Sequence, residues 1–338
     1  MFDFIYVEEA VRDCERAREI CRRFPAASVV GCDRYGEIFN RSGQNFRLQK
    51  RNPALILAAK QGRRVLSAPA GYGIGSNANF YFSHMLNCVY DCRYCFLQGM
   101  YRSAHMVVFV NYDDFKADIE EVLHAPASGE PSGEPHFFTG YDCDSLAMEG
   151  ITGFVEDFLP FFAAHPEALF ELRTKSVRTA PLKSALGNVV VAYSLNPARM
   201  ASHESGVPPV RSRIAAAARL QEAGWPVGLR FDPLIWSPGF HQSYRRLFAE
   251  TFAAVRGGSV HSVFLGTLRL PRRFHRRMEA LYPEEALLAQ GLEEAGGETG
   301  YPGNLREEML GFCLEELRRY VPEEVIFPCP TTGAEAPV

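Results

Sequence analysis

The sequence predicts an α/β protein built on a parallel sheet with crossover helices, and three observations carry that expectation. Short apolar runs rich in β-branched and aromatic residues ("FYFSHML", "MVVFVN", "HFFTG", "LFELRTKS", "NVVVAYSLN", "PVGLRFDPLI", "VHSVFLGTLRL") alternate with helical patterns such as "DDFKADIEEVLHA", "ITGFVEDFLPFFAAH" and "RSRIAAAARLQEAG". Strand, helix, strand repeated roughly six times fits either a barrel or a doubly wound sheet. Several of these strands finish on polar residues: Asn111, Lys175, Ser194 with Asn196, Asp232, and Thr267 with Arg269. The carboxyl ends of parallel strands gather at one rim, where sites are built. Finally, 338 residues, 47% of them hydrophobic, suffice for one large core.

Taken in order, residues 1–77 open on the helical pattern "EEAVRDCERAREICRRF" and pass into the loop-rich "GCDRYGEIFNRSGQNF", which reads as an N-terminal helical and loop cap. The alternating strands and helices occupy 78–271. Within them "HAPASGEPSGEPHF" has the Pro, Gly and Ser content of an exposed loop. Residues 272–338 form a C-terminal extension ending in an amphipathic helix over "NLREEMLGFCLEELRRY". No run of about eighteen apolar residues appears, and the first residues carry acids and bases too early for a signal peptide. A cytoplasmic protein with no membrane partner is expected. Nine cysteines, an odd number, then point to thiols used for metal or redox work and not to a disulfide framework. The net charge of −4 excludes a uniformly basic nucleic-acid-binding surface, although the arginine-rich stretch "RLPRRFHRR" (269–277) could contact phosphates locally.

The densest chemistry lies in "NCVYDCRYCFLQG", where Cys88, Cys92 and Cys95 follow an apolar run at the spacing C-x3-C-x2-C. Three thiolates on one loop can hold three corners of a [4Fe–4S] cube and leave the fourth iron open to another ligand. A structural zinc site would need a fourth cysteine or histidine at its own close spacing, and none follows.

This motif, followed by an aromatic residue, resembles the signature of the radical S-adenosylmethionine (SAM) superfamily. Together with "LQKRNPALILAAKQG", "TGYDCDSLAMEGITG", "RTKS", "YSLN", "GWPVGLRFDPLI" and "FLGTLRLP", it resembles the spore photoproduct lyase family in the broad sense, over about residues 45–275. The resemblance implies a partial (β/α)6 TIM-type barrel with N- and C-terminal extensions, and a [4Fe–4S] cluster with SAM as cofactors. It also implies a low-potential electron donor and damaged DNA as partners. The expected reaction is repair of a methylene-bridged thymine dimer, begun by a 5′-deoxyadenosyl radical. Two alternatives stand beside it: the same chemistry on a small molecule, peptide or RNA, and a non-catalytic cluster- or zinc-binding module.

The resemblance also implies roles for particular residues. Aligning Asp144 with the family's aspartate places Tyr141 at the hydrogen-donor position, with Cys143 two residues on and on the same face if the strand continues that far. Tyr141 and Cys143 are therefore both candidate donors, and Cys143 falls where a cofactor-contacting serine would stand. Lys175, Ser194 and Asn196 are candidate SAM contacts, Lys175 through the methionine carboxylate. Tyr94 matches one member of a radical-relaying tyrosine pair, but Phe96 replaces the other and has no hydroxyl hydrogen to pass on. The stretch "EEAGGETGYPGNLREEM" would correspond to the family's DNA-opening hairpin, yet it is acidic and phosphates would repel it.

Overall fold

A computed structural model of the chain describes residues 2–69, 71–125, 133–289 and 291–329. Most of the loop expected from "HAPASGEPSGEPHF" lies outside the described residues. Seven strands run parallel in one curled sheet: β1 (Asn79–Phe82), β2 (His136–Thr139), β3 (Leu169–Thr174), β4 (Val189–Ser194), β5 (Val227–Leu234), β6 (Ser262–Thr267) and β7 (Ile326–Pro328). Each pairs with the next in chain order, and Val65–Ser67 closes the β1 edge antiparallel. Sequential parallel pairing with crossovers gives the open arc of a partial TIM-type barrel. Continuous apolar runs are what a strand covered on both faces requires, and all six residues of β4 are buried. Phenylalanines cement one wall: Phe82, Phe137 and Phe170 of β1 to β3 meet the helix Phe154–Ala164, with Phe162 and Phe170 stacked at 4.1 Å.

Residues 4–58, expected as helix and loop, also contain strands. Ser28–Cys32, Phe4–Glu8, Leu55–Ala58 and Met106–Phe109 form a second parallel sheet, with Met85–Leu86 added antiparallel. "MVVFVN" therefore belongs to this sheet and not to the barrel. Asn111 accordingly leaves the proposed rim: its side chain bonds the backbone of Lys60 on the N-terminal side. The run "FYFSHML" also divides, because buried Ser83 and His84 interrupt it between β1 and Met85–Leu86. The three-cysteine loop thus emerges from the junction of the two sheets.

The C-terminal extension contributes β7 to the barrel sheet and a hairpin, Glu293–Ala295 with Glu298–Gly300, which adds to Arg269–Pro271. Its acidity is not left bare, since Glu294 takes Arg272 at 3.7 Å and Arg276 at 3.1 Å from the helix Arg272–Leu281. The acidic hairpin and the arginine-rich segment are one ion-paired unit. Tyr301 does not project as a wedge; it is buried, and its hydroxyl accepts the Trp236 amide at 2.9 Å.

Candidate active site

One cavity of about 200 Å³ opens at the carboxyl ends of the barrel strands, and Cys88, Cys92, Cys95, Tyr141, Cys143, Lys175 and Ser194 all line it. The cysteine loop is pinned from several sides. Asn87 adopts a left-handed φ of 69° and donates to the carbonyls of Ser103 and His105 at 2.8 and 2.7 Å. The Lys50 ammonium donates to the carbonyls of Cys88 and Tyr90 at 3.2 and 3.3 Å. Asp91 and Cys92 pair antiparallel with Ser205 and Glu204. The helix Leu97–Met100 packs so closely on Phe274 that a Cβ on Gly99 would stand 2.3 Å from its carbonyl oxygen.

The donor set fits a cluster better than a single ion. On one zinc, thiolates with Zn–S bonds of ~2.3 Å crowd within about 4 Å of each other. Among the described residues no three His, Cys, Asp or Glu side chains converge on such a point. In a [4Fe–4S] cube each cysteine takes a different iron, so three spread thiols around a cavity are the matching arrangement. Burial raises all three thiol pKa values, that of Cys95 to about 11, so the loop binds metal by releasing protons.

Behind Cys92 lies a buried charge network. Glu204 takes the Lys175 ammonium at 2.9 Å and the Arg213 guanidinium at 2.6 Å, and it accepts a hydrogen bond from the Tyr94 hydroxyl. Burial alone would raise the Glu204 pKa, but Lys175 and Arg213 outweigh it and bring the value down to about 2. Lys175 also lies 2.5 Å from the Tyr94 oxygen and 3.6 Å from Cys92 Sγ. The ammonium expected to face a cofactor carboxylate is thus already paired, at the edge of the cysteine loop. Arg213 donates to the Ser194 carbonyl at 2.7 Å, which fixes the end of β4. Asn196 donates to Tyr94 at 3.0 Å and is buried behind the cavity wall, not on it.

The segment leaving β2 carries the two candidate donors. Gly140 is required at its start, with φ 85° and a would-be Cβ 2.6 Å from the Arg173 carbonyl oxygen. Asp144 then ties β2 to β3: it accepts the amides of Leu146, Ala147 and Lys175 and the Thr174 hydroxyl, at 2.6 to 3.0 Å. Between these anchors the Tyr141 ring joins an aromatic wall of Tyr81 (4.9 Å), Phe96 (5.1 Å) and Tyr72 (6.3 Å). Cys143 turns toward the N-terminal sheet, with Sγ 3.9 Å from His84 Nδ1 and burial raising its thiol pKa. Lys50, Asn87, Glu204 and Arg213 carry the site's support and were missed from sequence. Asn87 directly precedes the first motif cysteine but carries no thiol to draw notice, the other three lie outside the motif, and a buried partner of Lys175 has no local spacing signal.

A half-open parallel barrel, with three loop cysteines suited to a cluster at the rim where its strands end, defines the radical SAM class of enzymes, which work with a [4Fe–4S] cluster and SAM. The particular family follows from comparison: the sequence profile of spore photoproduct lyase matches residues 75–290, and the chain belongs to that family. The spore photoproduct lyase of Bacillus subtilis (strain 168) is 22% identical over 297 residues, covering 84% of this chain and 83% of that protein. That of Geobacillus sp. (strain Y412MC61) is 24% identical over 206 residues, 59% of each. A solved spore photoproduct lyase complexed with dinucleoside spore photoproduct shares the fold at TM-score 0.81 and 18% identity, over 98% of both chains. So does a variant with bound AdoMet and the same dinucleoside, at TM-score 0.81 and 17% identity, covering 98% of this chain and 99% of that one. Among the described residues no helix is long and apolar enough to cross a membrane.

Proposed function

We propose that this enzyme repairs the methylene-bridged thymine dimer of DNA, drawing on a low-potential electron donor. The observation that carries this reading is one cavity in which the three cysteines share the lining with an aromatic wall and with Tyr141 and Cys143, the two candidate hydrogen-atom donors. Cys88, Cys92 and Cys95 hold the cluster, and Lys175 and Ser194 border the cofactor. When bound and reduced by one electron, SAM supplies a 5′-deoxyadenosyl radical.

The chain's own residues do the rest. Tyr72, Tyr81, Phe96 and Tyr141 offer flat apolar faces for thymine rings and keep water from the reacting carbon. Tyr141 is the donor we assign: its ring lies on Phe96, beside the last cluster cysteine, and its O–H hydrogen passes to the substrate radical, leaving a tyrosyl radical that one electron from the low-potential donor and one proton from solvent return to the phenol. Cys143, packed toward His84, borders the cofactor side. Tyr94 positions Lys175 through Glu204 instead of relaying a radical, since its hydroxyl is held by Glu204, Lys175 and Asn196.

The test is anaerobic reconstitution, reduction and incubation with the synthetic dinucleoside photoproduct. Return of two unlinked thymines with 5′-deoxyadenosine is expected. SAM cleavage without repair refutes this substrate and favours another under the same chemistry. Tyr141→Phe should abolish clean product while Cys143→Ala retains it, and the reverse pattern transfers the donor role to Cys143.

A further inference from the structure

The barrel interior buries a complete ion pair: Arg230 and Glu171 are both 0% exposed, 2.6 Å apart, on β5 and β3. Such a pair is a poor source of stability, because desolvation offsets most of the attraction. Its geometry shows what it holds. The Glu171 carboxylate also accepts Arg173 Nε at 3.2 Å, while Arg230 is further anchored by the carbonyl and hydroxyl of Ser262 at 3.0 and 2.9 Å. Arg173 is thereby fixed at the cavity rim, where its Nη1 lies 3.8 Å from Asp232. On the other side of Asp232, Arg269 Nη1 donates to the same carboxylate at 3.2 Å and to the Thr267 carbonyl at 3.2 Å. Arg269 lies 5.1 Å over the Tyr72 ring, and its buried Nη2 has no hydrogen-bond acceptor among the described residues. Arg173, Asp232 and Arg269 all line the cavity that holds the aromatic wall.

We propose that Arg173, Asp232 and Arg269 form a donor–acceptor–donor array that reads the imide edge of a thymine base, resting on the function assigned above. Thymine presents carbonyl, N3–H and carbonyl along that edge, and a bridge through the methyl carbon and C5 leaves it intact. The arginines donate to the two carbonyls and Asp232 accepts N3–H. Cytosine would turn N3, an acceptor, toward Asp232 and an amino donor toward an arginine. A phosphate fits poorly, because it would meet a carboxylate between the two arginines. The aromatic rings beside the array supply the flat surface that a base requires.

The test is equilibrium binding to the full, cluster-reconstituted protein without reductant, saturated with S-adenosylhomocysteine so that the cofactor's adenine cannot occupy the array. The probes are the dinucleoside photoproduct, its N3-methylated form, deoxycytidine against thymidine, and a dinucleotide backbone lacking bases. N3-methylation should weaken binding about tenfold or more, as should replacing thymidine by deoxycytidine. Arg269→Met or Asp232→Ala should shrink both ratios toward one. Equal affinity of wild type for the N3-methylated probe overturns the proposal without recourse to any variant. So does equal binding of the baseless backbone, discrimination seen only without S-adenosylhomocysteine, or no nucleoside binding at all. Because binding is read without turnover, a chain that discriminates bases but repairs nothing keeps the array and refutes the repair function alone.

Discussion

Glu204→Gln separates the buried charge network from the cysteine loop that it supports. The side chain of Glu204 is 3% exposed and that of its partner Arg213 2%, at 2.6 Å, so neutralising the carboxylate leaves a buried guanidinium without its counter-charge. Removing one partner of such a pair costs about 3–5 kcal/mol. Arg213 keeps the Ser194 carbonyl, and Lys175 is 14% exposed to the cavity, so the lower end, about 3 kcal/mol, applies. With an unfolding entropy of about 2.1 cal/mol/K per residue, 338 residues turn that into a fall in Tm of about 4 °C. The assay is differential scanning calorimetry of wild type, Glu204→Gln, Arg213→Met and the double variant. The double variant should lose less than the sum of the singles. Iron content per chain should stay unchanged, because Glu204 pairs with Cys92 through the backbone. A single variant melting within about 1 °C of wild type, or a double variant losing the full sum, would refute the reasoning.

Two further outcomes are expected. Burial raises the Glu171 pKa, but Arg230 and Arg173 overcome it and hold the group at about 2, below its ordinary 4.5. The part of the stability that depends on Glu171 being ionised is therefore complete above pH 4.5 and lost as pH falls toward 2. The stability difference between wild type and Glu171→Gln in urea melts should shrink across that interval, and a constant difference contradicts the assignment. Lys50→Met leaves two loop carbonyls without their donor, at about 1–3 kcal/mol, so chelator should strip iron from the reconstituted variant faster than from wild type. Equal stripping rates would show that Lys50 does not hold the loop.

The alternation of strand-like and helix-like runs carried the α/β class, the quoted motifs carried the resemblance to the family, and three thiols within eight positions must share one loop whatever the rest of the chain does. Asp144 served in the sequence only as an alignment point, and its anchoring of Thr174 and Lys175, 30 and 31 residues on, appears only in the folded chain. Other assignments needed the folded chain. "MVVFVN" has the composition of a barrel strand, and only pairing with Leu55–Ala58 shows that it belongs to the second sheet and takes Asn111 with it. Lys175 reads from sequence as a cofactor contact alone, and only the fold brings Glu204, 29 residues on, beside it as a second, buried partner. The acidic hairpin reads as repelling until the Arg272 helix covers Glu294. In each case the deciding neighbour is distant in sequence, and a buried charge is defined by what neutralises it, which tertiary packing alone brings into contact.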